Sequence, residues 1–132
     1  MNPFRAAVEA GDMDAVVALL AENVVFTSPV AFKPYPGKPI TAAILRGVFR
    51  VFTDFRYVRE IGDPAGSDHA LVFKAKVGDR EIEGCDFLHF DGDGRIDELT
   101  VMVRPLSAAQ ALAEAMGAQF DRIEREALAA DR

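Results

Sequence analysis

The sequence predicts an α+β fold, a curved antiparallel sheet wrapped around helices that plug its open side, and three observations predict it. Helical apolar spacing is gathered at the front of the chain and again at its end. The stretch from His69 to Pro105 reads as three strands, divided by Gly78-Asp79-Arg80 and by Asp91-Gly92-Asp93-Gly94. Between them, Asp54–Glu60 alternates Phe55, Tyr57 and Arg59 against Arg56, Val58 and Glu60, which adds a fourth strand to the meander. Helices first and strands behind is the element order of an α+β domain.

The totals agree with one globular domain over residues 1–132, in which 106–132 form a tail helix. Half of the 132 residues are apolar and 27% are charged, an ordinary globular composition. A formal net charge of −6 argues against a phosphate backbone or an anionic membrane surface, both of which need clustered Lys and Arg, so neither nucleic acid nor membrane is an expected partner. The lone Cys85 forms no internal disulfide and fits a reducing compartment. With no targeting pattern at the N-terminus and no apolar run near 18 residues, the expected location is the cytoplasm.

Taken in order, Pro3 suits the opening of a helix over residues 3–10, with Phe4, Ala7 and Val8 on one face, and Gly11 stops it. Asp12 caps a second helix over Met13–Ala21, and Asn23 turns the chain into a short strand, Val24–Thr27. Ser28-Pro29 ends that strand because proline removes a ladder donor. The proline-rich AFKPYPGKP is a loop, and its Phe32 and Tyr35 are expected to fold over a cavity mouth. Thr41 opens a helix to about Phe52 with Leu45, Val48, Phe49 and Phe52 on one face. After the meander, Ser107 and Gln110 form a capping-box pattern for the tail helix. Its stripe Leu112, Met116, Phe120, Ile123 and Ala127 is interruptible at Gly117.

Alternation along the central strand puts Ile82, Gly84, Asp86, Leu88 and Phe90 on one face, and Glu83, Cys85, Phe87 and His89 on the other. The preceding strand divides into Leu71, Phe73, Ala75 and Val77 against Val72, Lys74 and Lys76, whose charges mark the outward side. Asp86 therefore faces the interior. A carboxylate there either finds a partner or takes up a proton, and Gly84 beside it leaves room for a guest. Ile96 and Leu99 are out of phase, which predicts a bulge near Asp97-Glu98. Apolar residues on both sheet faces predict a covered outer face, most simply a homodimer through the sheet backs.

The runs AGDMDAVVALLAENVVFTSPV, PGKPITAAI and EGCDFLHFDGDGRIDELTVMV resemble the nuclear transport factor 2-like superfamily, and within it the SnoaL-like and steroid Δ-isomerase-like branch. The resemblance runs from about Phe4 to Arg104. It implies a cone-shaped α+β barrel with a deep apolar pocket, commonly homodimeric. It also implies positions for the ketosteroid isomerase site: the general base falls on Ser28, the oxyanion-hole tyrosine on Phe4, and the second oxyanion donor on Asp86. A serine cannot shuttle the proton that a carboxylate can, so that activity is not expected. The Arg that orients the epoxide in limonene epoxide hydrolases falls on Gly84, which removes that chemistry too.

Other candidates weigh less. His69 begins a strand beside a turn, and His89 lies on the face away from Asp86. Asp91–Gly94 fails as a calcium loop, because His89 and Thr100 stand where Asp and a bidentate Glu are required; it reads as a hairpin turn, and no metal is expected. There is no GxGxxG, phosphate loop or nucleophile elbow, so no cofactor is expected. The expected function is a pocket for a small apolar molecule, carbonyl- or polyketide-like, with Asp86 as the polar anchor and as the acid or base of any isomerase- or cyclase-type proton transfer. Its expected lining is Phe26, Ser28, Tyr35, Phe49, Phe52, Tyr57, Phe73, Leu88 and Arg104, with Arg104 a candidate partner for Asp86. The alternative is a non-catalytic dimerisation or protein-interaction module, and cavity volume discriminates: roughly 300 Å³ or more favours a ligand site.

Overall fold

The computed structural model describes residues 2–130. Two short helices open the chain, α1 (Pro3–Glu9) and α2 (Met13–Ala18), each started by its side-chain cap. The Asn2 carboxamide oxygen accepts from the amides of Phe4 and Arg5, and Asp12 accepts from that of Ala15. The glycine stop at Gly11 has φ of 69°, a left-handed position that costs a side-chain-bearing residue energy. Strand β1 (Leu20–Thr27) starts earlier than the sequence suggested. Leu19-Leu20-Ala21 reads as helical locally, but the Leu19 carbonyl accepts from the Ile96 amide at 2.7 Å and Leu20 pairs with Ile96, so sheet pairing overrides local preference.

The proline-rich stretch supplies a two-residue strand, β2 (Tyr35–Pro36), and then α3 (Lys38–Val51). That helix begins before Thr41, the expected start. Pro39 lies in its first turn, where no amide donor is needed, and the Thr41 hydroxyl donates to the Gly37 carbonyl at 2.8 Å. Phe32 is 95% exposed, so the expectation that it folds over the cavity is corrected.

The meander follows as β3 (Phe52–Ile61), β4 (Asp68–Val77), β5 (Arg80–Phe90) and β6 (Ile96–Arg104). The sheet order is β2-β1-β6-β5-β4-β3, antiparallel throughout except that β1 joins β6 in parallel. Val77 pairs with Arg80 across a two-residue hairpin whose first residue, Gly78, has φ of 62°, as such turns demand. In the other hairpin the Asp91 carboxylate accepts from the amides of Asp93 and Arg95. His89 pairs with Glu98 but Phe90 pairs with Ile96, so Asp97 is the extra residue of the expected bulge.

Inward alternation is as read: Leu71, Phe73, Ala75 and Val77 of β4 and Ile82, Gly84, Asp86 and Leu88 of β5 are all buried. The tail forms two helices, α4 (Leu106–Gly117) and α5 (Phe120–Ala130), broken after Gly117. The expected Ser107 cap is absent: Pro105 occupies the cap position and no side chain caps α4. Residues 131–132 of the expected tail helix lie outside the described residues. Helix α4 lies over β4, β5 and β6, while α5 packs along α3. Among the described residues no helix is long and apolar enough to cross a membrane.

Candidate functional site

Inside the sheet, β3, β4 and α3 bring their aromatic residues together. Phe55 stacks on Phe73 with centroids 5.0 Å apart, Phe49 meets Phe55 edge-on at 5.2 Å, and Phe52 lies 5.6 Å from Phe73. Beside this cluster is a cavity of about 50 Å³, lined by Phe4, Phe26, Ser28, Phe49, Phe52, Phe55, Phe73 and Asp86, by Leu45 and Val48 of α3, and by Leu112 and Met116 of α4. At roughly 10–15 Å³ per water, that is room for a few waters or one small ring, well short of the volume that would mark an open ligand site.

Among the described residues Asp86 is the one ionisable group in that lining, and it is only 7% exposed. Tyr57, which is itself buried, donates its hydroxyl to Asp86 Oδ2 at 2.7 Å. No lysine or arginine pairs with Asp86 among the described residues. Burial without a cation pushes the Asp86 carboxyl up to about 7, and the Tyr57 hydrogen bond only partly opposes this. The same burial, with the carboxylate beside it, raises the Tyr57 hydroxyl far above its ordinary range, so it stays a donor. Tyr57 uses Oδ2, and among the described residues no side chain donates to Oδ1. A carboxyl poised near neutrality can donate a hydrogen bond when protonated and accept a proton when not.

Phe26, Ser28, Phe49, Phe52 and Phe73 of the expected lining border this cavity, whereas four other residues stand elsewhere. Arg104 has a 71% exposed side chain 3.6 Å from Glu83, because it follows the outward phase of β6; it partners the sheet surface rather than Asp86. Tyr57 sits behind the acid instead of on the wall. Leu88 is buried in the core, and Tyr35 packs between Phe26 and Phe120 at 6.4 and 6.2 Å. The space expected at Gly84 is taken by Phe73, whose Cζ a Cβ there would overlap. The Ser28 hydroxyl oxygen accepts from the Val30 amide at 3.1 Å, which turns the chain at the cavity edge.

Among the lining residues that sequence reasoning missed are Phe4, Leu45, Val48, Phe55, Leu112 and Met116. Phe55 was findable, since it shares the phase of Tyr57, but nothing in the tail stripe says that it faces a cavity. On the outer face, His89 Nδ1 lies 2.6 Å from Asp97 Oδ1, and this hydrogen bond, ahead of the acidic neighbours, raises the His89 imidazole above its ordinary value. Half-buried Cys85 lies between Val72 and Met102, and burial pushes its thiol up, away from nucleophile character. His69 Nε2 donates to the Gly66 carbonyl at 2.9 Å, a turn contact.

Comparison with known proteins places this geometry. The chain is similar over 89% of its length to 85% of a steroid delta-isomerase from Pseudomonas aeruginosa, at 43% identity and a TM-score of 0.83. It matches 93% of an uncharacterised protein with a cystatin-like fold from Silicibacter pomeroyi over 96% of its own length, at 35% identity and a TM-score of 0.86. A proposed polyketide cyclase from Pseudomonas putida, 23% identical over 81% of this chain and 90% of that one, shares the fold with a TM-score of 0.65. Among the curated proteins none matches. The SnoaL-like domain model matches residues 3–99, from the opening of α1 through most of the sheet that carries Asp86, and the chain belongs to this family.

Proposed function

We propose that this chain holds a small apolar molecule bearing a carbonyl group, and that Asp86 moves a proton on it. The observation that carries this reading is a buried carboxyl at an apolar cavity with a tyrosine hydroxyl as its only side-chain partner among the described residues. Ionised, Asp86 accepts a proton from the carbon beside the carbonyl, the C–H electron pair passing into an enolate, and the acid so formed returns the proton to carbon; protonated, it donates a hydrogen bond to the carbonyl oxygen. The P. aeruginosa relative is named a steroid delta-isomerase, which supports isomerisation of an apolar molecule. Here Ser28 stands where the resemblance puts the base of ketosteroid isomerases, so Asp86 carries the proton transfer alone. The test is exchange of the α-protons of cyclohexanone in deuterated buffer, followed by NMR. Wild type is expected to accelerate exchange over buffer, and Asp86→Asn to lower that acceleration by on the order of 100-fold with an unchanged circular dichroism spectrum. Equal exchange in the two proteins contradicts the assignment.

The cavity of about 50 Å³, far below the roughly 300 Å³ that favours a ligand site, supports a second reading against the first, an interaction module that works through its outer sheet face. There the row Val72–Cys85–Met102 lies beside Ala70–Phe87–Thr100, flanked by the charged rows Lys74–Glu83–Arg104 and Asp68–His89–Glu98. Phe87 is 42% and Met102 59% exposed. A two-fold axis running across the strands would set the Lys74 and Arg104 row of one copy against the Asp68 and Glu98 row of the other, so this reading assigns a homodimer. Phe87→Glu is expected to shift the chain from dimer to monomer in size-exclusion chromatography with light scattering; identical masses for the two proteins remove the dimer.

A further inference from the structure

We propose that the C-terminal helix pair sets the size of the guest, with Met116 as the size-determining residue and the seating of Ile123 against Gly47 as what holds it in place. This rests on reading the cavity as a ligand site. The sheet walls of that cavity are fixed by their hydrogen-bonded ladders, and the α3 wall belongs to a continuous helix. Helix α4 contributes Leu112, which is 3% exposed, and Met116, which is half-buried and unbranched. A methionine chain changes rotamer at small cost, so it is the wall element that yields most easily to a larger guest.

The position of Met116 is set by a notch in α3. Gly47 lies inside that helix, where glycine is unfavourable, and its missing side chain is replaced from two directions. A Cβ there would stand 2.9 Å from Ile123 Cδ1 of α5 and 3.4 Å from Met116 Cε of α4. The latch on the surface side of the notch is built from α5. Ile123 is fully buried, Arg50 reaches Glu126 at 3.1 Å and Gln119 at 2.8 Å, and Phe120 packs on Tyr35. One notch therefore receives both the latch and the cavity wall. With Met116 in place the cavity of about 50 Å³ suits a single ring, and a fused second ring must displace the Met116 side chain.

The test uses the whole chain and two ketone probes, cyclohexanone and 1-tetralone, with dissociation constants from NMR amide shifts. Wild type is expected to prefer cyclohexanone. Met116→Ala is expected to tighten 1-tetralone by at least ~10-fold relative to cyclohexanone, the discrimination that a few buried carbons supply. Ile123→Val, which removes the Cδ1 atom seated nearest Gly47 and preserves the rest of the core, should move the ratio in the same direction by less. An unchanged ratio in both variants, with Asp86→Leu weakening both ketones, overturns the size-setting role and leaves the ligand site standing. If neither ketone binds wild type or Met116→Ala, the ligand-site reading itself fails, and this inference with it.

Discussion

Strand β5 carries two acid-containing pairs on opposite faces, and they behave differently. Inside, Asp86 meets the Tyr57 hydroxyl at 2.7 Å, is 7% exposed and has its carboxyl pushed up to about 7. Outside, His89 meets Asp97 at 2.6 Å where both side chains reach solvent, and the pairing favours the charged imidazole. The same side-chain class is kept near neutrality by a dry wall and a neutral partner, and serves as an ordinary ion-pair partner on the wet face. Acid–base character at this strand comes from which face a residue occupies. The difference also explains why a His–Asp pair, the more familiar catalytic sign, carries less here than a lone carboxyl beside a tyrosine.

The contrast breaks most visibly in stability against pH. Asp86 keeps its proton to about pH 7 when folded and loses it near 3.8 when unfolded, so between those values the folded chain holds more proton. Its raised carboxyl therefore makes stability fall as pH rises across that window, by on the order of 4 kcal/mol if the whole shift is realised. Asp86→Asn should abolish this slope, and near pH 8 should melt above wild type because no charge has to be buried; chemical denaturation at several pH values checks both. A variant less stable than wild type at that pH would contradict the uncompensated burial of the Asp86 charge.

A smaller effect sharpens the inner pair. The Tyr57 hydrogen bond is the influence that lowers the Asp86 carboxyl, so Tyr57→Phe should raise its midpoint further, by about 0.7 pH unit for a bond of roughly 1 kcal/mol. Carbon NMR of the labelled carboxyl reads this directly, and a lower midpoint would reverse the assignment of Tyr57. The smallest effect belongs outside: Asp97→Asn should bring the His89 imidazole back toward its ordinary value, visible in its ring-proton titration, while cyclohexanone binding stays within about twofold of wild type.

How far these pairs were legible follows from their geometry. Period-two alternation with glycine turns fixed β4, β5 and their inward faces, because a one-residue slip would bury Lys74 and Lys76. The inward, buried position of Asp86 on β5 was therefore legible from sequence alone. Its partner was not, because Tyr57 lies on β3, and the contact crosses β4 diagonally from the Tyr57–Phe73 pair to the Leu71–Asp86 pair. Arg104 was tempting as a partner by sequence position, but strand phase turns it outward. The bulge at Asp97 was readable from the broken phase of Ile96 and Leu99, whereas the bond from Asp97 to His89 depends on how the bulge aims a side chain. The front edge of α3 was misread because Pro39 marks both a loop and a first helical turn, and only the fold decides between them. The tail stripe was read as one face, yet which of its residues line a cavity is set by the break after Gly117 and the notch at Gly47.

The central claim, that Asp86 is a near-neutral carboxyl facing a site for a carbonyl compound, is tested most directly by titrating that carboxyl by carbon NMR with and without saturating cyclohexanone. The expected result is a midpoint at about 7 in the free protein, moving upward when the ketone is bound, because the hydrogen bond it accepts favours the protonated acid. A midpoint in the ordinary aspartate range, unmoved by the ketone, would contradict it.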